Sequence, residues 1–553
     1  MTDIEIPLEK DRHGWYRFFE ILPGALSYLV LALPFILSYV YVTIDHNRAP
    51  LAVPVILFYL LVYFVRSIGY SLRAIEGYRI MKKHLKLNWR GMMNDVEAGA
   101  PTSDQFTRPK WHLRNLSWLA ERGEQRIKPS ELFHAVIIAT VNESREVLEP
   151  TIQSVLASEY DPKKLILVMA YEGRAGAETE QRVQTLLKEY GDKFYHAIGV
   201  KHPPGIPNEQ IGKGGNITYA ARELQKYLEA KKIDPAKVVV TTLDADNRPN
   251  KNYFAGVSYL YCLVPNPLKA SYQPLPMFTN NIWDAPTLMR VIATGNTLFY
   301  IVGTQRVHRA RNFSAHAQSM KALIDMDFWS RRSVVEDGHH FWRSYFHFDG
   351  DYRVYPLSIP VYQDAVLADG YLKTMRAQFI QLRRWTYGAS DVAYIAQKGF
   401  FQKNKVPKAD LIGKFLTHIE GHVSWATGTI LLFCASFIPA HLHPQNYAAA
   451  DLPLIVSRIQ RIGMVGLLVS VYVCLVTLPP RPARYRRHRS ILMILQWALT
   501  PVTSVGFAAL AAFNSQTRLM FKWYLSKFDV TEKAVKTETG KTVSSEADPG
   551  NTK

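Results

Sequence analysis

The chain has 553 residues, with 66 Lys and Arg against 47 Asp and Glu, a formal net charge of +19. Its three cysteines, Cys262, Cys434 and Cys474, form no metal-type pair, which argues against a disulfide framework or a structural zinc site. No nucleic-acid-binding motif accompanies the positive charge, so we read it as bias toward the cytosolic face of a membrane, with no nucleic-acid partner.

The N-terminus, MTDIEIPLEKDRHGW, is acidic and polar, unlike a cleaved signal peptide, and residues 1–21 are expected in the cytosol. Leu22–Ile44 is a near-continuous apolar run, long enough to span ~30 Å of hydrocarbon at ~1.5 Å per residue. Pro50–Val65, extended past Arg66 to Leu72, reads as a second crossing, completing a pair over 22–73. Arg48 is the only Lys or Arg between the two runs, whereas Arg66, Arg73, Arg79, Lys82, Lys83, Lys86 and Arg90 follow them. That asymmetry places the next segment in the cytosol. Residues 74–130, dotted with Trp89, Trp111 and Trp118, read either as an interfacial helix with a linker or as a solvated connector.

From Phe133 the texture is α/β. Phe133–Thr140, Leu165–Ala170, Tyr195–Val200 and Val238–Leu243 read as strands. Val147, Leu148, Ile152, Val155 and Leu156 mark one helix face, and a further helix runs from a Gly-rich turn at Gly212 to Leu228. Such alternation predicts a mostly parallel sheet covered on both faces, with ligands at the carboxyl ends of its strands. Those ends carry Thr140, Asn142 and Glu143, then Glu172, then Asp244 and Asp246, while the turn carries Lys213 and Asn216. The first carboxylates suit a ribose hydroxyl or a base edge. Lysine on a glycine turn suits phosphate, and an acid pair suits a divalent metal that neutralises a diphosphate. GxxxxGK[ST] and GxGxxG are absent, which argues against an ATPase and a dehydrogenase.

Val334–Trp342, VVEDGHHFW, embeds an acid pair among apolar residues and supplies a candidate general base. The adjacent His339 and His340 read as core or supporting histidines. Gln381, Arg384 and Trp385, in QLRRW after the helical Leu372–Ile380, share one helix face and suit a sugar ring and its leaving phosphate.

Taken in this order, these residues resemble the membrane-embedded family 2 glycosyltransferases with a GT-A fold, the family of cellulose, chitin and hyaluronan synthases. The resemblance covers Phe133–Trp385 and the flanking helices. It implies Mg2+ or Mn2+ with the donor diphosphate on Asp244 and Asp246, and Asp337 as catalytic base. It also implies Glu336, Gln381 and Trp385 on the acceptor side and Arg384 on the donor. Phe528–Lys533, FDVTEK, resembles the gating loop of bacterial cellulose synthase, with Phe528, Val530, Thr531 and Lys533 capping the nucleotide. The family has an aromatic residue where Val141 stands and Thr where Val335 stands.

After the expected domain (131–400) and an interfacial helix (401–421), His422–Ala440 and Ile462–Pro479 read as crossings. Ile491–Phe513, broken by Pro501, reads as a broken or re-entrant segment that returns residues 518–553 to the cytosol. Ala534–Lys553 is expected to be disordered. The expectation is a multi-pass inner-membrane enzyme with a cytosolic catalytic domain. It would pass sugar from a nucleotide-diphosphate sugar, a UDP-sugar, to a growing β-linked glycan with inversion; the alternative acceptor is a lipid carrier. An export subunit is left open. A transporter or receptor with a binding module, and an inactive transferase partner, are the rival classes.

Overall fold

The computed structural model describes residues 4–44, 47–103, 106–122, 127–525, 534–536 and 542–544. The first long helix, α1, is Gly14–Ser38 and contains Pro23 and Pro34. It starts and ends earlier than the apolar run Leu22–Ile44. Tyr41–Ile44 (β1) instead pairs antiparallel with Asn47–Pro50 (β2), as β-branched and aromatic residues favour. The second helix, α2, is Ala52–His84 and carries Lys82, Lys83 and His84 in its last turn. Residues 85–122 are not a free linker. Trp89–Ala98 is a helix capped by the Asn88 side chain and closed by Gly99 at φ 74°. Trp89 and Trp111 pack edge-on against Tyr259 of the α/β domain, which buries Trp89 and half-buries Trp111 where an interfacial segment would expose them.

The strands that follow are β3 (Phe133–Thr140), β4 (Leu165–Glu172), β5 (His196–His202), β6 (Val238–Asp244), β7 (Arg248–Pro249), β8 (Ala270–Phe278), β9 (His316–Ser319) and β10 (Arg353–Gln363). They form one sheet in the order β5-β4-β3-β6-β9-β8-β10-β7. β5, β4, β3 and β6 are mutually parallel, β9 is antiparallel to both its neighbours, and β8 and β10 are parallel. β4 is buried along its whole length. Its alternate residues Leu167 and Met169 face one core with Val147, Ile152 and Val183, while Ile166 and Val168 face the other with Ile217, Ala221 and Leu224. The chain runs outward from β3 to β5 and then returns to β6 on the other side of β3. That reversal opens a crevice at the carboxyl ends of β3 and β6, where open α/β sheets hold ligands.

Among the described residues, four helices are long and apolar enough to cross a membrane: Gly14–Ser38, Ala52–His84, Tyr447–Val476 and the composite His488–Met520. The expected break between an interfacial helix and a crossing at His422 is absent, because Lys408–Cys434 is one continuous helix. The β1–β2 hairpin and the loop before Tyr447 meet at the bundle end away from the sheet. There Tyr41 Oη lies 3.0 Å from His443 Nδ1, and Asn446 Nδ2 donates to the Arg48 carbonyl at 2.8 Å. His488–Met520 is interrupted by 3-10 and π turns. Both its flanks touch the α/β domain: Arg484 pairs with Asp284, and Gln210 Nε2 donates to the Leu525 carbonyl. The FDVTEK residues, Phe528, Val530, Thr531 and Lys533 among them, lie outside the described residues. Beyond them Ala534–Lys536 pairs with Thr542–Ser544, so part of the tail expected to be disordered is extended strand.

Candidate active site

β3 and β6 pair so that Ala139 faces Asp244, which sets Thr140 and Asp244 side by side at the sheet's carboxyl edge. Asp246 follows after a tight turn. Its Oδ2 accepts the backbone N–H of Asp364 at 3.0 Å, and its carbonyl accepts from Asn280 Nδ2 at 3.0 Å. Asp244 accepts from Lys213 Nζ at 2.7 Å on one oxygen and from the Ser314 hydroxyl on the other.

Lys213 opens the helix Lys213–Ala230, and the glycines beside it set where that helix can sit. A Cβ on Gly214 would lie 2.2 Å from the Ser330 carbonyl and 3.1 Å from Glu336 Cβ. Glycine at this position therefore lets the turn press against the start of the helix Glu336–His347, which carries the acid pair. Burial disfavours charge on Lys213, but Asp244, Glu336 and Asp337 outweigh it and raise its pKa. Burial, together with the charge of Asp337, raises Glu336; Lys213 and Arg384 pull the other way. Burial also raises Asp337, again opposed by Lys213 and Arg384. Asp337 additionally accepts the Gly338 N–H at 2.7 Å.

Asp244, Asp246, Lys213, Glu336 and Asp337 all line one cavity of about 890 Å3. Gln381, Arg384 and Trp385, on the helix Tyr371–Thr386, line it too, as do Thr140, Glu143, Glu172 and Asn216. Asn142 is not among the lining residues. Most of the others also have local contacts of their own. The Thr140 hydroxyl and the Val141 N–H both donate to Glu143, at 2.7 and 2.8 Å. Asn216 donates to the Ala170 carbonyl at 3.1 Å, tying its helix to β4. Gln381 Oε1 accepts from Gln378 at 3.1 Å, and Trp385 stands 6.0 Å from the Phe278 ring. Glu172 belongs to a network at the end of β4 and β5. His202 stands between it and Glu209, 3.3 and 2.8 Å away, and Arg174 approaches Glu172 at 3.4 Å. Buried His339 and His340 turn to different partners, Asp391 and Gln318.

Among the described residues no group of three or more His, Cys, Asp and Glu side chains could hold a metal by itself. Two adjacent carboxylates nevertheless fit a hard cation that completes its shell with water and substrate phosphate oxygens, as Mg2+ does. Sequence reasoning missed Ser314, which sits in a loop with no pattern to mark it. It also missed Asp364, an acid just past the end of β10 that the strand-end rule applied to Asp244 would have found.

No protein-family model and no curated protein matches this chain. Among solved structures it is similar to the mannosyltransferase PcManGT from Pyrobaculum calidifontis in complex with GDP-Man and Mn2+. That likeness has 14% identity and a TM-score of 0.38, over 88% of this chain and 99% of that one. It is also similar to S. aureus TarS 1-349 in complex with UDP-GlcNAc, at 10% identity and a TM-score of 0.34, over 74% of this chain and 96% of that one.

Proposed function

We propose that this chain is a metal-dependent, inverting glycosyltransferase of the GT-A type, working at the cytosolic face of the inner membrane. It would transfer sugar from a nucleotide-diphosphate sugar, a UDP-sugar, to a growing glycan. The observation that carries the reading is convergence. Asp246, Asp337 and Arg384, far apart in sequence, line one cavity together with Lys213 and Trp385. A transporter or a simple binding module has no need of an acid pair, Glu336 buried and Asp337 half-buried, beside a lysine and an arginine at such a place.

In this reading Asp246 and Asp244 would hold Mg2+ or Mn2+, which would offset the charge of the donor diphosphate. Lys213 and Arg384 add positive charge where the leaving diphosphate gathers negative charge. Glu143 and Glu172 face the nucleoside end. Trp385 and Gln381 orient the acceptor sugar. Asp337 takes the proton from the acceptor hydroxyl as its oxygen attacks C1, and the bond from C1 to the diphosphate oxygen breaks on the opposite side.

Asp337→Asn is expected to lower transfer by about 10²- to 10⁴-fold while nucleoside diphosphate still binds. Release of nucleoside diphosphate by the purified protein, followed for several nucleotide sugars, measures it. An unimpaired variant would remove Asp337 from the role of base. Transfer to a lipid carrier is the second reading, and it is favoured by the way the cavity continues between α2 and the helix Lys408–Cys434, lined by Tyr70, Thr417, Gly421 and Trp425. Sizing a radiolabelled product separates a polymer from a single transfer.

A further inference from the structure

The cavity does not end at the acids. Along α2 and the helix Lys408–Cys434 three levels can be followed toward the α/β domain. At the far level the helices close: Ile56 and Leu60 share a cluster with Leu431, Leu432 and Ala435, and the Tyr59 hydroxyl donates to the Gly428 carbonyl at 3.4 Å. At the middle level they are joined by an Arg66–Glu420 ion pair at 2.8 Å, whose side chains are 59 and 42% exposed. At the near level Tyr70 and Thr417 are both cavity walls. Residues of both helices thus wall the cavity, which reaches the space between them. Phe299 and Trp425 line the cavity yet are 56 and 38% exposed, so they form its rim on the apolar flank of the bundle. Gly295 and Gly303, on the same helix as Phe299, have open space where a Cβ would be.

The opening carries more arginines than acids: Glu420 also lines it, and Arg66 pairs with that carboxylate. Arg306 and Arg309 line the cavity. Burial lowers the pKa of Arg306, and the neighbouring cations Arg73, Arg309 and Arg66 lower it further. Arg66 and Arg73 lie toward the basic end of α2, where positive charge is ordinary. Arg306 and Arg309 follow the helix Thr287–Gly303, which is not among the membrane-length helices, and they sit in the cavity wall. Arg306 and Arg309 beside an apolar rim, with the nearby Glu420 carboxylate taken up by Arg66, complement a phosphate attached to an apolar chain.

We propose that this gap is a side portal through which a phosphate-headed lipid carrying the acceptor enters the cavity, its phosphate held by Arg306 and Arg309 and its chain lying on Phe299 and Trp425. The proposal rests on the transferase reading for what the lipid is used for, but not for whether it binds. The Arg66–Glu420 pair spans the portal above the phosphate.

The test is binding of farnesyl phosphate to the full-length protein in phosphatidylcholine nanodiscs, compared with farnesol and inorganic phosphate and read by tryptophan emission. Farnesyl phosphate should bind saturably and about tenfold or more tighter than farnesol. Neither inorganic phosphate nor nucleoside diphosphate should displace it. Arg306→Gln with Arg309→Gln should weaken it by about tenfold or more, with Lys at both positions restoring much of the affinity and nucleoside diphosphate binding unchanged. Equal binding of farnesol, displacement by nucleoside diphosphate (which would make this a donor subsite), or no effect of the Gln variants would each overturn the proposal. Binding is read without turnover. A protein that binds the lipid but releases nucleoside diphosphate from no nucleotide sugar would sink the transferase reading and leave the portal standing.

Discussion

Lys213 is the side chain through which the acids of the site act on one another, since Asp244, Glu336 and Asp337 all contribute to its charge balance. An acid that must be ionised to accept a proton loses activity as pH falls through its pKa. Asp337 is raised by burial, so the acid limb of the pH–rate profile is expected above the ordinary aspartate value of about 4. Lys213→Met removes the cation that holds Asp337 down and should move that limb upward by about one pH unit or more; an unmoved limb would separate Lys213 from the base. His202 makes an independent case. Burial works against its charge, but Glu172 and Glu209 outweigh that and push its pKa up to about 9. A folded-state value above the unfolded one, about 6.5, stabilises the fold fully below that pH and loses the contribution as pH rises through 9. His202→Gln should therefore lower Tm at neutral pH and flatten its dependence on pH between about 6.5 and 9, as followed by thermal unfolding in detergent.

At the scale of elements, two close backbone approaches fix how the helices around the site sit. A Cβ on Gly77 of α2 would lie 2.6 Å from the Ile301 carbonyl, so α2 packs backbone to backbone on the helix that leads to Arg306. Gly77→Leu is expected to cost about 1–3 kcal/mol, seen as a lowered Tm, whereas Gly295→Ala, in a helix interior with open space around it, should not lower Tm. The Gly214 approach to Ser330 plays the same part for the acid helix. The spacing of GKGGN marks a phosphate turn in the sequence. That its second glycine also makes room for the Glu336 helix is not written there, because the contact joins residues more than a hundred positions apart.

At the scale of the molecule, the direction of His488–Met520 decides which face the tail occupies. Both its flanks meet the α/β domain, while Tyr447 lies near the opposite end of the bundle and is 89% exposed. In a Cys434→Ser background, Tyr447→Cys and Lys522→Cys should label with an impermeant maleimide from opposite faces of the membrane. Labelling of both from one face would refute this arrangement.

What the sequence determined by itself is periodic or local. Strand and helix alternation, apolar runs and acids at strand ends follow from side chains acting within a turn or a strand, so the four parallel strands and most of the candidate residues were legible in order. Helix limits were less so: Tyr41–Ile44 left the first apolar run to pair as a strand, and Lys408–Cys434 ran through an expected boundary. Only the tertiary structure decided that Ser314 caps Asp244, that Asp364 supports Asp246, and that Arg66 and Glu420 meet across a gap. Each of these joins groups distant in the chain, brought together by the burial of sheet and helix faces that carry no record of which neighbour will cover them.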